Sequence, residues 1–522
     1  MNPIRQRFTY FFGTFSLYNF LILSFGLPFL TEGLFLFFRQ SFLNNLYSPF
    51  YLLLFFALIF LFGNLFSQVQ SNERAFQNFS LKASFVSFAF WLLLSPLFFF
   101  RFYQMLLVWQ PLPTKMLSLL FLHRWKILPV ILLLYLIVLY FLYRAILVPK
   151  YLKQNSSMKK SIVLSWQKTK KSIPKQLTLF FLIPVIFLTT SLLIKIGFIW
   201  ATQLLTKQST AMLLLLVYRI IQNVLWALFF LYLAAPDKEP TSVEPKTKGS
   251  IIWLSLSVIA CLGLYSLHYT HAFQIQRATN PVTISHRGVS DHNGIQNSID
   301  ALKRTSQQLH PDFIEMDVQE TADHQLVVIH DEDLKKLADK NLRVDETTWK
   351  ELKKVTLREN GYTSQIPLFK DYLAAANHLN QKLLIELKIT AKTKNSITHK
   401  LLPLESELAN HELQSMDLDT ANQMKKDFPK LKVGYILPHD LLGSPKNSLD
   451  FVNIESRTAN GDLIQALHHR NQAVYAWPVN SERQAAALRF QQLDGILSDD
   501  MSVFSTKSED IKAKTASILQ FD

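Results

Sequence analysis

Apolar side chains fill the first 270 residues in seven long blocks, at about 14–38, 49–67, 84–100, 127–148, 177–199, 211–235 and 250–268. Each comes near the ~20 residues of helix needed to cross a ~30 Å hydrocarbon layer. YLLLFFALIFLFG and ILPVILLLYLIVLYFLY show the pattern most clearly. Helices on the surface of a water-soluble core keep a polar stripe, and these blocks follow one another with hardly any. The pattern predicts an α-helical, multi-span membrane domain over 1–270, with seven spans. The first block does not read as a removable leader, being too long, interrupted by Glu32 and lacking a small-residue cleavage site.

From 281 the period changes. Short apolar runs (TISHRG, FIEMDV, LLIELK, LQSMD, KVGYIL, FVNIES, AVYAWPV and DGILS) alternate with helical patterns such as SIDALKRTSQQL and TANQMKKDF. Strand–helix alternation predicts a parallel sheet. Eight units within 281–502 match a C-terminal (β/α)8 TIM barrel in size. A ninth run, LVVIHD, follows FIEMDV through QETADHQ, which is too short for a crossover helix, so it is expected to return antiparallel. Residues 332–366 read as a small insertion after strand 2, the barrel as 281–505, and 506–522 as a tail.

Charge divides the chain at the same place: residues 1–280 carry a formal +20 and residues 281–522 a formal −5. The basic excess therefore belongs to the apolar half, and no nucleic-acid partner is expected. The loop 149–176 holds eight lysines and no acid, which places it in the cytoplasm by the positive-inside rule. Alternating from there, the last span delivers the barrel to the outer face of a cell membrane. The stretch 101–126, with four Lys/Arg on the expected outer side, strains that count and leaves an interfacial or re-entrant path open. Ile162, Trp166 and Ile173 recur at helical spacing among lysines, as in an amphipathic helix on an anionic leaflet or a solvated charge run. Arg219 and Lys195 lie within or near spans, where charge hints at function or snorkels. A lone cysteine, Cys261, excludes an intrachain disulfide and a CxxC site.

In a TIM barrel, reactive groups gather at the C-terminal ends of the strands. There the chain places His286-Arg287-Gly288, Glu315 and Asp317, Glu386 and Lys388, Trp477 and Asn480, and Asp499. Glu315 and Asp317 are two apart and share one face, and the return strand is expected to bring His330 level with Glu315. Three carboxylates in one mouth resist ionisation unless a cation neutralises them. Oxygen ligands without cysteine suit one divalent Ca²⁺ or Mg²⁺. Two histidines beside it suit base and acid in turn, and Arg287 and Lys388 suit an anionic substrate, which points to phosphodiester cleavage.

HRG at 286–288, EMD at 315–317, HD at 330–331, IELK at 385–388, WPVN at 477–480 and DGILSD at 494–499 together resemble the glycerophosphodiester phosphodiesterase family, in order, over about 281–502. The N-terminal half looks like the multi-span domain of a bacterial membrane branch of that family. The resemblance implies Glu315, Asp317 and Glu386 as metal ligands and His286 and His330 as the acid–base pair. It implies Arg287 and Lys388 on phosphate and Trp477 on the glycerol side. The implied substrate is a glycerophosphodiester of lipid-headgroup or polyglycerol-phosphate (lipoteichoic acid) type, cleaved to glycerol 3-phosphate and an alcohol beside the bilayer. Gln296-Asn297-Ser298 departs from the family's E-N-T, removing one acid near the site. Pro478 and Asp499-Asp500 also depart, without removing a proposed ligand. A catalytically silent barrel, acting as sensor or scaffold on a lipid-handling membrane domain, is the alternative.

Overall fold

The computed structural model describes residues 47–70, 80–98, 123–154, 156–170, 173–234, 248–275, 280–504 and 511–521, with isolated positions between 99 and 122 and without 395, 439–442 and 460. It divides into two compact units, Met1–Ile275 and Gln276–Asp522.

In the first unit the apolar blocks are helices: α1 Tyr47–Gln70, α2 Leu81–Phe98, α3 Arg124–Ala145, α4 Val148–Lys153, α5 Met158–Lys170, α6 Ile173–Ala201, α7 Gln208–Ala234 and α8 Lys248–Ile275. Among the described residues three helical runs are long and apolar enough to cross a membrane: Trp125–Lys153, Val185–Leu204 and Gln208–Phe230. The expected spans at 49–67 and 250–268, and 84–98 of the one at 84–100, are helical with shorter apolar stretches, while 99–100 lie outside the described residues. The block at 14–38 lies outside the described residues. Helices α1 and α2 approach backbone to backbone, because a Cβ on Gly63 would sit 2.8 Å from the Phe88 nitrogen. Helix α5 buries Ser161, Ser165 and Thr169, one turn apart, and leaves Ile162 and Trp166 exposed. Ile173 opens the next helix instead of extending that face. Arg144, buried at the end of α3, donates to the Trp166 carbonyl at 2.6 Å.

The second unit holds strands β1 Val282–Ser285, β2 Phe313–Glu320, β3 Leu326–Val328, β4 Asp333–Leu334, β5 Lys340–Arg343, β6 Thr356–Glu359 and β7 Tyr362–Gln365. They continue with β8 Lys382–Leu387, β9 Glu412–Ser415, β10 Lys432–Leu437, β11 Phe451–Glu455, β12 Ala473–Trp477 and β13 Gly495–Ser498. Eight of them pair in parallel in the order β1-β13-β12-β11-β10-β9-β8-β2, and β1 closes onto β2 through Ile284↔Phe313 and Ser285↔Ile314. This is the expected barrel, with β3 antiparallel on β2 as the short link requires. Helices α9 Ile299–Leu309, α10 Lys335–Ala338, α11 Trp349–Leu352, α12 Phe369–His378, α13 Leu418–Asp427, α14 Gly461–His468, α15 Glu482–Arg489 and α16 Ile511–Phe521 complete the unit. The outer helical layer is incomplete, since two 3₁₀ turns replace a helix between β8 and β9. The expected tail contains α16, where Ala513, Ala516, Ile518 and Leu519 are buried and Ser517 accepts from Gln491 at 2.6 Å.

Alternation along β2 and β8 decides what the barrel encloses. Ile314, Met316 and Val318 face the helices, in the core that contains Leu302, Tyr372 and Leu373. Phe313 and Leu384 point inward, joining Ile284, Phe451, Tyr475 and Leu497 in a plug. Glycine is required opposite the plug rings: a Cβ on Gly434 would lie 2.0 Å from Phe451 and one on Gly495 2.6 Å from Tyr475. The inward positions beyond this plug, toward the C-terminal rim, are Glu315, Asp317, Glu386 and Lys388. Apolar filling at one end thus leaves the acids at the other.

Residues 332–366 form two small hairpins, β4–β5 and β6–β7, with a core of their own that includes Leu337, Val344, Leu352, Val355 and Leu357. Val327 and Ile329 from the return strand and Ile295 from the β1–α9 loop belong to the same cluster, which fastens the insertion to the rim.

Strand β8 is held in register by a neutral histidine. His411 is 3% exposed; its Nδ1 accepts the Leu383 N–H at 2.9 Å and its Nε2 faces Asn377 Oδ1 at 3.0 Å. Burial lowers its pKa from 6.5 to about 4. The unfolded chain therefore takes up a proton that the folded one refuses, so stability falls between pH 6.5 and about 4. The expected loss is about 3 kcal/mol over that window. Thermal melting of the full chain in detergent should show it, and His411→Gln should flatten the dependence.

Candidate active site

The strand ends bring the expected residues together. Glu315, Asp317 and Glu386 each place one carboxylate oxygen within 4.8 Å of the others, and all three are buried. The parallel register sets Asp317 beside Glu386. Burial and the neighbouring charges of Asp317 and Glu386 push the Glu315 carboxyl well above the usual range. Glu386 is raised for the same leading reason, with Lys388 opposing. Burial would raise Asp317 too, but Lys388, His330, Arg287 and the Asn297 amide hold it at about 2. Lys388 Nζ lies 3.4 Å from Asp317 and 3.3 Å from Glu386. An all-oxygen set whose repulsion Lys388 relieves at Asp317 and Glu386 but not at Glu315 suits a hard divalent cation, so these residues fit the expected metal.

Two imidazoles flank the acids. His286 Nδ1 pairs with Asp499 Oδ1 at 2.6 Å, and its Nε2 lies 3.9 Å from Glu315. Asp499 is fixed by Asn480, whose Nδ2 donates at 2.5 Å and whose Oδ1 accepts the Asp499 N–H at 2.9 Å. Burial opposes the ionised form of Asp499, but the His286 and Asn480 contacts hold it at about 2. His330 repeats the arrangement, its Nδ1 pairing with Asp331 Oδ1 at 2.7 Å. A carboxylate only accepts, so each Nδ1 carries the proton and each Nε2 is left for chemistry. Burial lowers the His330 pKa, aided by Lys388 and Arg287 and opposed by Asp317. The buried Gln319 amide clamps the return segment by donating to the carbonyls of Ile329, His330 and Asp331 at 3.0, 3.0 and 2.8 Å.

One expectation needs correction. The β2–β3 pairing joins Val318 to Val328, and Ile329 N donates to the Asp317 carbonyl. His330 therefore falls opposite Met316, one position from Glu315. The irregular backbone beyond β3, under the Gln319 clamp, turns its imidazole toward the mouth.

Arg287 adopts the left-handed conformation, φ 55° and ψ 24°, strained for a side chain of its size. That turn aims its backbone N–H at Glu315 Oε2, 2.9 Å away. Its guanidinium donates through Nη1 to Gln296 at 2.8 Å, and Nε lies 3.8 Å from Asp317. Arg287 Nε and the indole Nε1 of Trp477 are buried donors without a hydrogen-bond partner among the described residues. Trp477 ends β12 at the same rim, and no hydrogen bond ties its side chain to the other seven expected residues among the described contacts.

Sequence reasoning placed Asp499 and Asn480 at strand ends without giving them work, and gave none to Asp331, Gln319 or Asn297. Asn297, at φ 63°, donates to Asp317 Oδ2 at 2.8 Å and accepts the Asp317 N–H at 3.1 Å. This two-way bond ties the buried loop amide to the Asp317 carboxylate and backbone on β2. The adjacency of His330 and Asp331 was the one available signal for a carboxylate behind an imidazole.

An eight-stranded parallel barrel with an acid-lined, histidine-flanked mouth defines a TIM-barrel enzyme domain. Residues 286–503 match the family described as glycerophosphoryl diester phosphodiesterase and are a domain of that family. The chain is similar to the glycerophosphodiester phosphodiesterase GDPD4 of Arabidopsis thaliana, at 25% identity over 217 residues, covering 39% of this chain and 66% of that protein. It is similar to the glycerophosphodiester phosphodiesterase of Caldanaerobacter subterraneus subsp. tengcongensis, at 27% identity over 235 residues, covering 42% of this chain and 94% of that protein. Among solved structures it is similar to an Oleispira antarctica phosphodiesterase in complex with the product sn-glycerol-3-phosphate. That match has a TM-score of 0.38 and 19% identity, over 45% of this chain and 98% of that one.

Proposed function

We propose that the chain is a membrane-tied, divalent-metal-dependent phosphodiesterase that hydrolyses glycerophosphodiesters to glycerol 3-phosphate and an alcohol. The observation that carries this reading is the buried Glu315–Asp317–Glu386 triad set between two imidazoles, each backed by a carboxylate.

Glu315, Asp317 and Glu386 would hold Ca²⁺ or Mg²⁺, which supplies Lewis-acid polarisation of the phosphoryl oxygens. Arg287 and Lys388 complete the anion pocket. Arg287 Nε–H, too far from Asp317 at 3.8 Å to hydrogen-bond it, offers a phosphoryl oxygen a buried donor that is costly to leave unbonded. His330, whose imidazolium burial disfavours, takes at Nε2 the proton of the attacking group, which is water or the substrate's vicinal hydroxyl. In the second case water then opens the cyclic phosphate that the hydroxyl forms. His286, entering the step protonated on both nitrogens, delivers the Nε2 proton to the leaving oxygen and keeps its Nδ1–H on Asp499. The Trp477 indole N–H lines the glycerol side. Substrate of lipid-headgroup or polyglycerol-phosphate type fits a barrel tied to a bilayer, because tethering raises effective concentration toward surface-held esters. The lysine-rich, acid-free segment 149–176 supports a multi-pass chain with the barrel on the outer face of the cell membrane.

Full-length protein in detergent, supplied with Ca²⁺ or Mg²⁺ and glycerophosphocholine or a polyglycerol phosphate, should release glycerol 3-phosphate. No release from any glycerophosphodiester by folded, metal-loaded protein would leave the sensor or scaffold reading. Protease added to intact cells should cut the barrel; protection would move it to the cytoplasm.

A further inference from the structure

Glu359 ends β6 at the turn of the inserted β6–β7 hairpin and has no part in the chemistry above. Its carboxylate reaches the loop between β1 and α9. Oε2 accepts the backbone N–H of Gln296 at 2.9 Å, and Oε1 accepts the Gln296 side-chain Nε2 at 2.7 Å. The opposite end of the same amide, Gln296 Oε1, accepts from Arg287 Nη1 at 2.8 Å. Gln296 is 5% exposed, so the amide at the centre of this carboxylate–amide–guanidinium chain is largely screened from water.

The chemistry of the two ends fixes the middle. A carboxylate only accepts and a guanidinium only donates. The Gln296 amide therefore has one workable orientation, since flipping it would set oxygen against carboxylate and NH₂ against guanidinium. Glu359 also polarises the amide and strengthens its hold on Arg287. The turn is fastened to the loop at further points. Asn360 Nδ2 donates to the Gly294 carbonyl at 3.0 Å, and Asn360 Oδ1 faces His292 Nδ1 at 3.1 Å. The Arg304 guanidinium lies 4.6 Å over the Tyr362 ring. These contacts hold the hairpin in place without Glu359, which leaves its carboxylate with a directional task.

We propose that Glu359 is a positioning residue: acting through Gln296, it aims the Arg287 guanidinium at the phosphoryl group of the substrate, which makes the inserted hairpin a working part of the anion pocket. The proposal rests on the phosphodiesterase reading above. It adds that, besides Asp317 on β2 at 3.8 Å from Nε, a charge from outside the barrel strands steadies Arg287.

The test is a charge exchange in the full-length protein in detergent with Mg²⁺. Glu359→Gln sets two amides face to face and releases the Gln296 orientation. It should lower kcat/KM about tenfold, mainly through KM, as expected for loss of a partner behind a ligand-binding group. Gln296→Glu alone sets two carboxylates in contact and should be impaired as well. The double variant Q296E/E359Q restores complementarity with the acid and the amide exchanged, and should recover to within about threefold of wild type. A hairpin-anchoring role alone would move melting temperature without this pattern in KM. Wild-type kinetics in E359Q, or a double variant no better than E359Q, would overturn the proposal. Inorganic phosphate binding by calorimetry gives a readout independent of turnover. Affinity should weaken about tenfold in E359Q and return in the exchange, whereas equal affinity in all variants overturns the proposal. Failure of wild type to turn over substrate counts against the phosphodiesterase reading, and the phosphate titration then decides this one.

Discussion

His286→Ala and His330→Ala are each expected to lower kcat by about 10²–10⁴-fold, the range that a positioned proton-transfer group contributes. Both rings present Nε2 because a carboxylate occupies Nδ1, Asp499 in one case and Asp331 in the other. The losses should not add in the double variant, since the two groups serve one displacement. Asp499→Asn gives a sharper reading than either histidine change. An amide in that place can offer its NH₂ to Nδ1, turning the ring to the wrong tautomer while the packing stays the same. It should cost more than tenfold in kcat at little change in melting temperature. Steady-state release of glycerol 3-phosphate measures all of these. Full activity in either histidine variant would remove the acid–base assignment.

What could be read in advance was whatever depends on local pattern. The eight barrel strands stood out as short apolar runs bounded by polar turns. The antiparallel return of β3 followed from the length of QETADHQ alone. Glu315 and Asp317 on one face, and Glu386 and Lys388 on another, needed only the two-residue period of a strand. The partners that orient these groups were not legible, because they join distant positions through folds of irregular backbone. Asp499 meets His286 across 213 residues, and Glu359 meets Gln296 across 63. The one-position error at His330 has the same origin, since strand register stops at Val328 and the next turn is set by Gln319. Helix α16 lies in the segment read as a tail, where Lys512, Lys514 and Thr515 interrupt the apolar pattern and Ala513 and Ala516 share the buried face with Ile518 and Leu519. In the N-terminal unit, hydropathy marked helices well, but it gave no sign that helix α5 turns Ser161, Ser165 and Thr169 inward and leaves Ile162 and Trp166 exposed.

Glu315→Gln is expected to abolish metal binding and lower kcat by about 10³-fold, several kcal/mol of transition-state stabilisation. The same change should make the metal-free protein more stable, and this opposition is the discriminating result. Burial first, and then Asp317 and Glu386, raise the folded-state pKa of Glu315 well above its ordinary 4.5. The folded chain thus binds a proton more readily than the unfolded chain. Metal-free stability falls as pH rises from 4.5 toward that raised pKa. Glutamine carries no such charge and removes the decline. Addition of Ca²⁺ or Mg²⁺ should stabilise wild type by about 3 kcal/mol at a hundredfold excess over the dissociation constant, and leave Glu315→Gln unmoved. EDTA should reverse the wild-type gain and its activity together. Melting curves with and without cation, at neutral pH and at pH 5, separate the two effects. A variant that melts lower than metal-free wild type and still responds to the cation would show that Glu315 shapes the barrel mouth without holding an ion.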